Sequence, residues 1–414
     1  GMLYSAITAF LGFEVNSGEY KVMGLAPYGQ PRYADQVRAL IAMEPGGDYC
    51  LDMQYFDYLS GAGMFTARMA ELFGQPPRQP EGPIEKFHQD LARSLQAVLE
   101  DILLQKAAWL HSLVPSENLC MAGGVALNCV ANSRILRDGP FKRLFVQPAA
   151  GDSGGALGAA AVAHARLAQQ RPAKGRLRHV YLGPGFTPGD VRQLLSAGAA
   201  AARDFTDNEA ALIEAVVERL IAGQVIGWFQ GRMEFGPRAL GARSILADPR
   251  RADMRERINA LVKKREAFRP FAPAVLEEEA RRHFALDHPS PFMLETCRVE
   301  SPLDLPAVTH VDRSARVQTV SRETNPRFHR LISRFFERTG TPLLLNTSFN
   351  MRDEPIVCTP ADAIRCFVRS SIDTLALEDW LIDRSAIPPL WELAAAGGPV
   401  ASAGAIRHDV YTLF

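Results

Sequence analysis

Between residues 118 and 168 the chain runs twice through one short programme: an apolar stretch, a glycine-rich turn, then a run with helical spacing. NLCM leads through Gly123 and Gly124 into a helix starting near Asn128, and RLFVQP leads through AAGDSGG into a helix rich in small residues. Strand, turn and helix in alternation place this half of the chain in the α/β class. The two apolar stretches are expected to be buried strands. Such glycine turns let backbone N–H groups approach a phosphate or ribose at the positive end of a helix, although a tight packing turn has the same composition. Asp152, set among glycines after the second strand, is read as open to a metal or a magnesium nucleotide, with a helix-capping aspartate as the alternative. Ligands of open α/β sheets bind at successive strand ends, which favours the ligand reading of the pair.

A chain of 414 residues is long enough for two or three domains. Residues 3–13 read as an amphipathic helix, KVMGLAPYGQPRY as a loop, and Ile84 to Leu113 as the clearest helix, closed by Pro115. The basic, proline-containing segment 169–179 reads as a linker, and the Ala/Gly-rich tail Ala394–Ala405 as loose. After the linker come a helix over Glu209–Ala222 and the strand QVIGWF. Then VLEEEARRHF (helix), PFMLETCRV and ARVQTV (strands), PRFHRLISRFFERTG (helix capped by Gly340), PLLLNTSF (strand) and PADAIRCFVRS (helix) compose a mixed α/β domain.

GRMEFGPRALGARSILADPR, residues 231–250, carries Arg232, Arg238, Arg243 and Arg250. VKKREAFRPFAP adds Lys263, Lys264, Arg265 and Arg269, and RSARVQ adds Arg316. The whole chain balances 46 basic against 46 acidic residues, so an anion site must be local and no field steers nucleic acid. Guanidinium groups held by neighbouring proline, glycine and phenylalanine give bidentate recognition of phosphate, with a solvated basic surface as the alternative. NTSFN, residues 346–350, can offer amides and hydroxyls to the same ligand.

No run of about 18 apolar residues is present, and the start lacks the basic flank and cleavage site of a secretory signal. Cysteines at 50, 120, 129, 297, 358 and 366 form no CxxC pair, which fits a reducing cytoplasm. No HxxxH or HExxH pattern and no nucleophile elbow occurs, and His310, near Arg316, is the histidine to watch.

At GEYKVMGLAPYG, GGVALNCVAN, QPAAGDSGGALGAA, GWFQGRMEFGPRALGARSILADPR, REAFRPFAP, THVDRSARVQTV and LLLNTSFN the chain resembles the O-carbamoyltransferases of nodulation-factor and antibiotic biosynthesis, over nearly all of residues 2–385. The resemblance implies a partial actin-like ATPase domain (Kae-like, RNase H-like) over residues 1–176 and a YrdC-like α/β domain over 177–414. It implies ATP-dependent transfer of a carbamoyl group from carbamoyl phosphate, through carbamoyl adenylate, to a hydroxyl of a small molecule.

Arg238, Lys263, Arg269 and Arg316 then become the catalytic cations, and Met293, Asn346 and Ser348 line the substrate and nucleotide. Gly123, Gly124 and Asn128 border the adenylate in the other domain. Asp152 becomes a ligand of a divalent metal, for which iron, manganese and magnesium stay open alongside the Mg2+ of ATP. Family members carry a first lobe upstream of LYSAITAFLGF with an HxxxH pair and an aspartate. Its absence here implies an incomplete transfer site, an exposed apolar surface along residues 3–13 and self-association, a homodimer included. A ligand-binding homologue without turnover is the competing expectation.

Overall fold

The structure, a computed structural model, describes residues 1–392 except 62, 171–174, 176, 198–200 and 390. Part of the expected linker and the Ala394–Ala405 tail therefore lie outside the described residues. The chain divides into two compact units, Gly1–Val146 and a second from Gln147 onward.

In the first unit, α1 (Met2–Phe10) buries Leu3, Tyr4, Ala6, Ile7 and Phe10, and Leu11 and Phe13 follow them into the interior. Phe10 meets Phe65 and Phe73 edge to face at 5.3 and 5.4 Å. The expected exposure of residues 3–13 is thus overturned, because this unit supplies its own cover for that stripe. A second correction is local: the expected loop at KVMGLAPYG is helical as α2 (Glu19–Leu25) plus one tight turn (Ala26–Tyr28), and Pro27 stands in that turn. The 28-residue α3 (Lys86–Leu113), about 42 Å long, starts at a reciprocal cap in which the Glu85 amide donates to His88 Nδ1 at 2.9 Å.

Strands β1 (Asn118–Met121) and β2 (Arg143–Val146) pair in parallel, joined through α4 (Cys129–Asp138). Leu119 packs with Ala107, Ile135 and Phe141. Asn118, Cys120, Arg143 and Phe145 are exposed, so these strands are covered on one face rather than buried.

The second unit contains α5 (Asp152–Ala168), α6 (Pro188–Ala197), β3 (Arg203–Asp204), α7 (Glu209–Ile221), β4 (Ile226–Phe229), β5 (Arg243–Ala247) and β6 (Ala272–Leu276). Then follow β7 (Gln318–Val320), α8 (Pro326–Thr339), β8 (Leu343–Ser348), α9 (Pro360–Arg369), β9 (Thr374–Leu377) and β10 (Trp380–Asp383). One sheet takes the order β7-β6-β8-β5-β4-β9-β10-β3. Only β7–β6 and β4–β9 are parallel.

Alternate residues face opposite sides of a strand. Ile226, Trp228, Leu246, Ala274 and Leu344 join Leu212, Val216, Phe328 and Phe335 of α7 and α8. Phe229, Ile245, Val275, Leu343 and Leu345 join Val191, Ala363 and Phe367 of α6 and α9 on the other face. Cover on both faces explains why QVIGWF and PLLLN are continuously apolar. It also takes Val275 and Leu276 into β6, leaving a tight 3-10 turn (Glu277–Glu279) and one helical turn (Ala280–His283) of the expected VLEEEARRHF helix. Of the expected strand PFMLETCRV, only Cys297–Arg298 is extended and paired in a strand, and Met293 lies in a turn at φ 56°.

Candidate functional site

Strand β8 runs antiparallel to β5 and β6, and β7 runs parallel to β6. The C-terminal end of β8 therefore lies at the edge of the sheet where β5, β6 and β7 begin. Asn346 and Ser348 stand at that end of β8, while Arg238, Arg269 and Arg316 lie in the segments leading into β5, β6 and β7. Residues more than 100 positions apart in sequence thus meet through topology alone. All three arginines are half-buried.

The segment following Arg238 is pinned peptide by peptide. Asn346 Nδ2 donates to the Ala239 carbonyl at 3.2 Å and to Gln318 Oε1 at 2.8 Å. Gln318 Nε2 and the Tyr181 hydroxyl each donate to the Leu240 carbonyl at 2.8 Å. Trp228 Nε1 donates to the Gly241 carbonyl at 3.0 Å, and the Gly241 amide donates to Ser244 Oγ at 3.0 Å. Gly241 has φ 98°, and a Cβ there would stand 2.3 Å from Phe328 Cδ1, so a side chain is barred by both conformation and space. Asn346 Oδ1 is buried and accepts no hydrogen bond among the described residues. Its amide orientation follows from the two acceptors that face Nδ2, which leaves an acceptor open beside the arginine segment.

Lys263 ends a π-helical turn, Ile258–Lys263, a geometry frequent at functional sites. Its buried Nζ donates toward Ser348 O at 2.7 Å, Ser348 Oγ at 3.1 Å, Asn350 O at 3.0 Å and Asn350 Oδ1 at 2.5 Å. Burial, then the Arg265 and Arg269 guanidinium groups, push this lysine well below its ordinary range. Asn259 of the same turn accepts from Arg265 Nε at 2.7 Å and donates to the Arg269 carbonyl at 3.2 Å, so the turn also anchors Arg269. Arg269 faces Glu266 at 3.6 Å. Met293 packs with Leu240 and Ala272 beneath the same edge. The second unit thus gathers Arg238, Lys263, Arg269, Met293, Arg316, Asn346 and Ser348.

The other cations of the arginine stretch have structural work. Arg243 is fully buried, lies 3.5 Å from the Phe229 ring centroid, and donates to the carbonyls of Gln230, Gly231, Ala242 and Pro184. Arg232 donates to Leu182 and Gly183, and Arg250 pairs with Asp248 at 2.6 Å. Most donors of these three meet backbone carbonyls or a carboxylate, although Arg243 Nε is buried without a hydrogen-bond partner among the described residues. His310 is buried in the turn before Ser314, whose carbonyl accepts its amide.

Two residues that the sequence did not single out organise this edge. Gln318 orients Asn346, as described above, and its polar side chain between apolar Val317 and Val320 was the available signal. Glu234 lies inside the arginine stretch with its carboxyl buried, and that burial pushes its pKa up against the pull of the Ala242 and Leu240 amides and of Arg243.

In the first unit, Gly123 adopts φ 94° at the end of β1, and a Cβ on Gly123 or Gly124 would meet open space. Asn128 caps α4: its Oδ1 accepts from Ala131 N at 3.0 Å and from Gln96 Nε2 at 3.1 Å, and its Nδ2 donates to Gln96 Oε1 at 2.9 Å. Its amide is therefore engaged internally, in a position to shape the glycine turn. In the second unit, Asp152 opens α5 with an exposed side chain. Among the described residues no group of three or more His, Cys, Asp or Glu could hold a metal. Asp152 is thus a single carboxylate that does not by itself make a metal site. No helix among the described residues is long and apolar enough to cross a membrane.

Two family models match this sequence: Carbamoyltransferase N-terminus over residues 1–161 and Carbamoyltransferase C-terminus over residues 217–384. An uncharacterized protein of Synechocystis sp. is 47% identical over 415 residues, covering 94% of this chain and 67% of its own length. Nodulation protein NolO of Bradyrhizobium diazoefficiens is 40% identical over 422 residues, covering 99% of this chain and 74% of its own. The 3'-hydroxymethylcephem-O-carbamoyltransferase of Streptomyces clavuligerus is 38% identical over 263 residues, covering 63% of this chain and 48% of its own. The matched part is thus between 48% and 74% of the length of these relatives. The chain belongs to the carbamoyltransferase family that includes the nodulation proteins and the cephem O-carbamoyltransferases.

Proposed function

We propose that the second unit forms carbamoyl adenylate from carbamoyl phosphate and ATP, as the activating half of carbamoyl transfer to a small-molecule hydroxyl. The observation that carries this reading is the convergence of Arg238, Lys263, Arg269 and Arg316 with Asn346 and Ser348 at one sheet edge. Atom balance calls for one water. Water oxygen replaces phosphate at the bridging bond of carbamoyl phosphate, which releases inorganic phosphate and carbamate; a carbamate oxygen then bonds to the α-phosphorus of ATP as the bond to pyrophosphate breaks and pyrophosphate departs.

In this reading the half-buried guanidinium groups hold phosphate oxygens bidentately and offset charge as it builds on the leaving group. Asn346 Oδ1, an acceptor without a partner, matches an N–H of the carbamoyl group, which acetyl phosphate lacks. Lys263, held against Ser348 and Asn350, fixes the end of β8. Residues 1–176 serve as the actin-like transfer domain and residues 177–414 as the YrdC-like domain, with Gly123, Gly124 and Asn128 beside the adenylate during transfer. Asp152 would lend one carboxylate to a metal completed elsewhere, and no step here is routed through it.

ATP–pyrophosphate exchange with and without carbamoyl phosphate tests the reading. Exchange that depends on carbamoyl phosphate and falls at least about tenfold in Arg238→Ala and Arg316→Ala supports it. A folded chain that binds both ligands without exchange is the binding homologue instead.

A further inference from the structure

Glu234 is one of two acids in the arginine stretch, and pairing with a neighbouring guanidinium, as Asp248 pairs with Arg250, is the ordinary expectation for it. Its geometry differs. Oε1 accepts the amide hydrogens of Leu240 at 2.6 Å, Ala242 at 2.8 Å and Arg243 at 3.4 Å. One oxygen therefore closes the chain from residue 234 to residue 243 into a loop, and Arg238 lies between the ends that it joins. The carbonyls of Ala239 and Leu240 point to Asn346, Gln318 and Tyr181, so the amides and carbonyls of this turn are anchored on opposite sides. Arg243 engages backbone carbonyls, which leaves Glu234 to the amides. Glu234 Oε2 is buried and has no hydrogen-bond partner among the described residues.

From this geometry we infer that Glu234 is a positioning residue for the reaction, acting through Arg238: its carboxylate sets the turn that aims the Arg238 guanidinium at the phosphate of carbamoyl phosphate. The inference rests on the activity proposed above for the Arg238 site. Against the burial that pushes this carboxyl up, the amide hydrogens on Oε1 and the nearby Arg243 favour the charged form, and an ionised acceptor of amide hydrogens is roughly twice as strong as a neutral one. Glu234→Gln keeps the shape and an oxygen while removing the charge, so it weakens the turn without emptying the site.

The test is a double-mutant cycle with Glu234→Gln and Arg238→Ala in the full chain, read by carbamoyl-phosphate-dependent ATP–pyrophosphate exchange. Glu234→Gln is expected to raise the KM for carbamoyl phosphate about tenfold, with the KM for ATP changed less than about twofold. In the Arg238→Ala background the same substitution is expected to add less than about twofold. Effects that multiply in the double variant, or an equal rise in both KM values, would overturn the inference.

Amide hydrogen exchange on the wild-type chain is the second arm and needs no activity. Leu240 and Ala242 are expected to exchange slowly, and at least about tenfold faster in Glu234→Gln. If the wild-type chain shows no pyrophosphate exchange, the proposed activity fails, and the amide arm judges Glu234 alone. Amides that exchange at unstructured rates in wild type, or equally slowly in both proteins, sink the positioning role. Should Glu234→Gln not accumulate as folded protein, the wild-type rates decide.

Discussion

Glu378 occupies the turn between β9 and β10 at φ 49°, where a glycine would be at ease, and its Oε1 accepts the Gly231 amide at 2.8 Å. Burial pushes its carboxyl from the usual 4.5 up to about 7, against the pull of that amide and of Arg327 and Arg243, while Asp379 pushes it further up. The folded protein thus holds a proton that the unfolded chain releases between pH 4.5 and about 7. Stability contributed by Glu378 is complete below that window, is lost as pH rises through it by up to ~3 kcal/mol, and is level above. Glu378→Gln should flatten this part of the curve. Urea midpoints of both proteins from pH 5 to 8 measure it, and identical slopes would mean that the carboxyl titrates normally. Gly241→Ala forces a Cβ to within 2.3 Å of Phe328 in a left-handed backbone, and should destabilise by ~2–4 kcal/mol in thermal melts.

Among the elements, α8 joins stability to the site. Phe328, Leu331, Ile332 and Phe335 recur at helical spacing on one face and are fully buried against β4, β6 and β8. Phe328 also backs Gly241. Phe328→Ala should cost about 3–5 kcal/mol of stability, and also raise the KM for carbamoyl phosphate by loosening the turn behind Arg238. Unfolding and kinetics of the one variant check both. A stability loss without a kinetic change would separate the helix from the site. The spacing that makes α8 a helix, with Pro326 at its start and Gly340 at its end, is plain in the sequence. The helical course of GEYKVMGL and the loss of the PFMLETCRV strand were not plain. Short segments with mixed signals take their form from the surfaces they meet, as α2 does beside α3.

At the scale of the whole molecule, the residues proposed to form the adenylate and Asp152 are separable by experiment. Asp152→Asn should leave carbamoyl-phosphate-dependent pyrophosphate exchange within about twofold of wild type. A loss of exchange would place Asp152 in the adenylate-forming site rather than in transfer. The residue types for phosphate recognition, the apolar strands, the long helices and the glycine turns all follow from local composition and spacing, which is why the sequence by itself determined the α/β class, the main elements and the pool of candidate cations. Composition and spacing did not separate Arg238 from Arg243, which lie in one stretch; the family resemblance alone singled out Arg238. What only the tertiary structure decided is the structural place of Arg243, through the antiparallel seating of β8 between β5 and β6, its burial over Phe229, and its carbonyl partners. A side chain's chemistry is local, but its availability depends on desolvation and hydrogen-bond partners, and those exist only once remote segments pack.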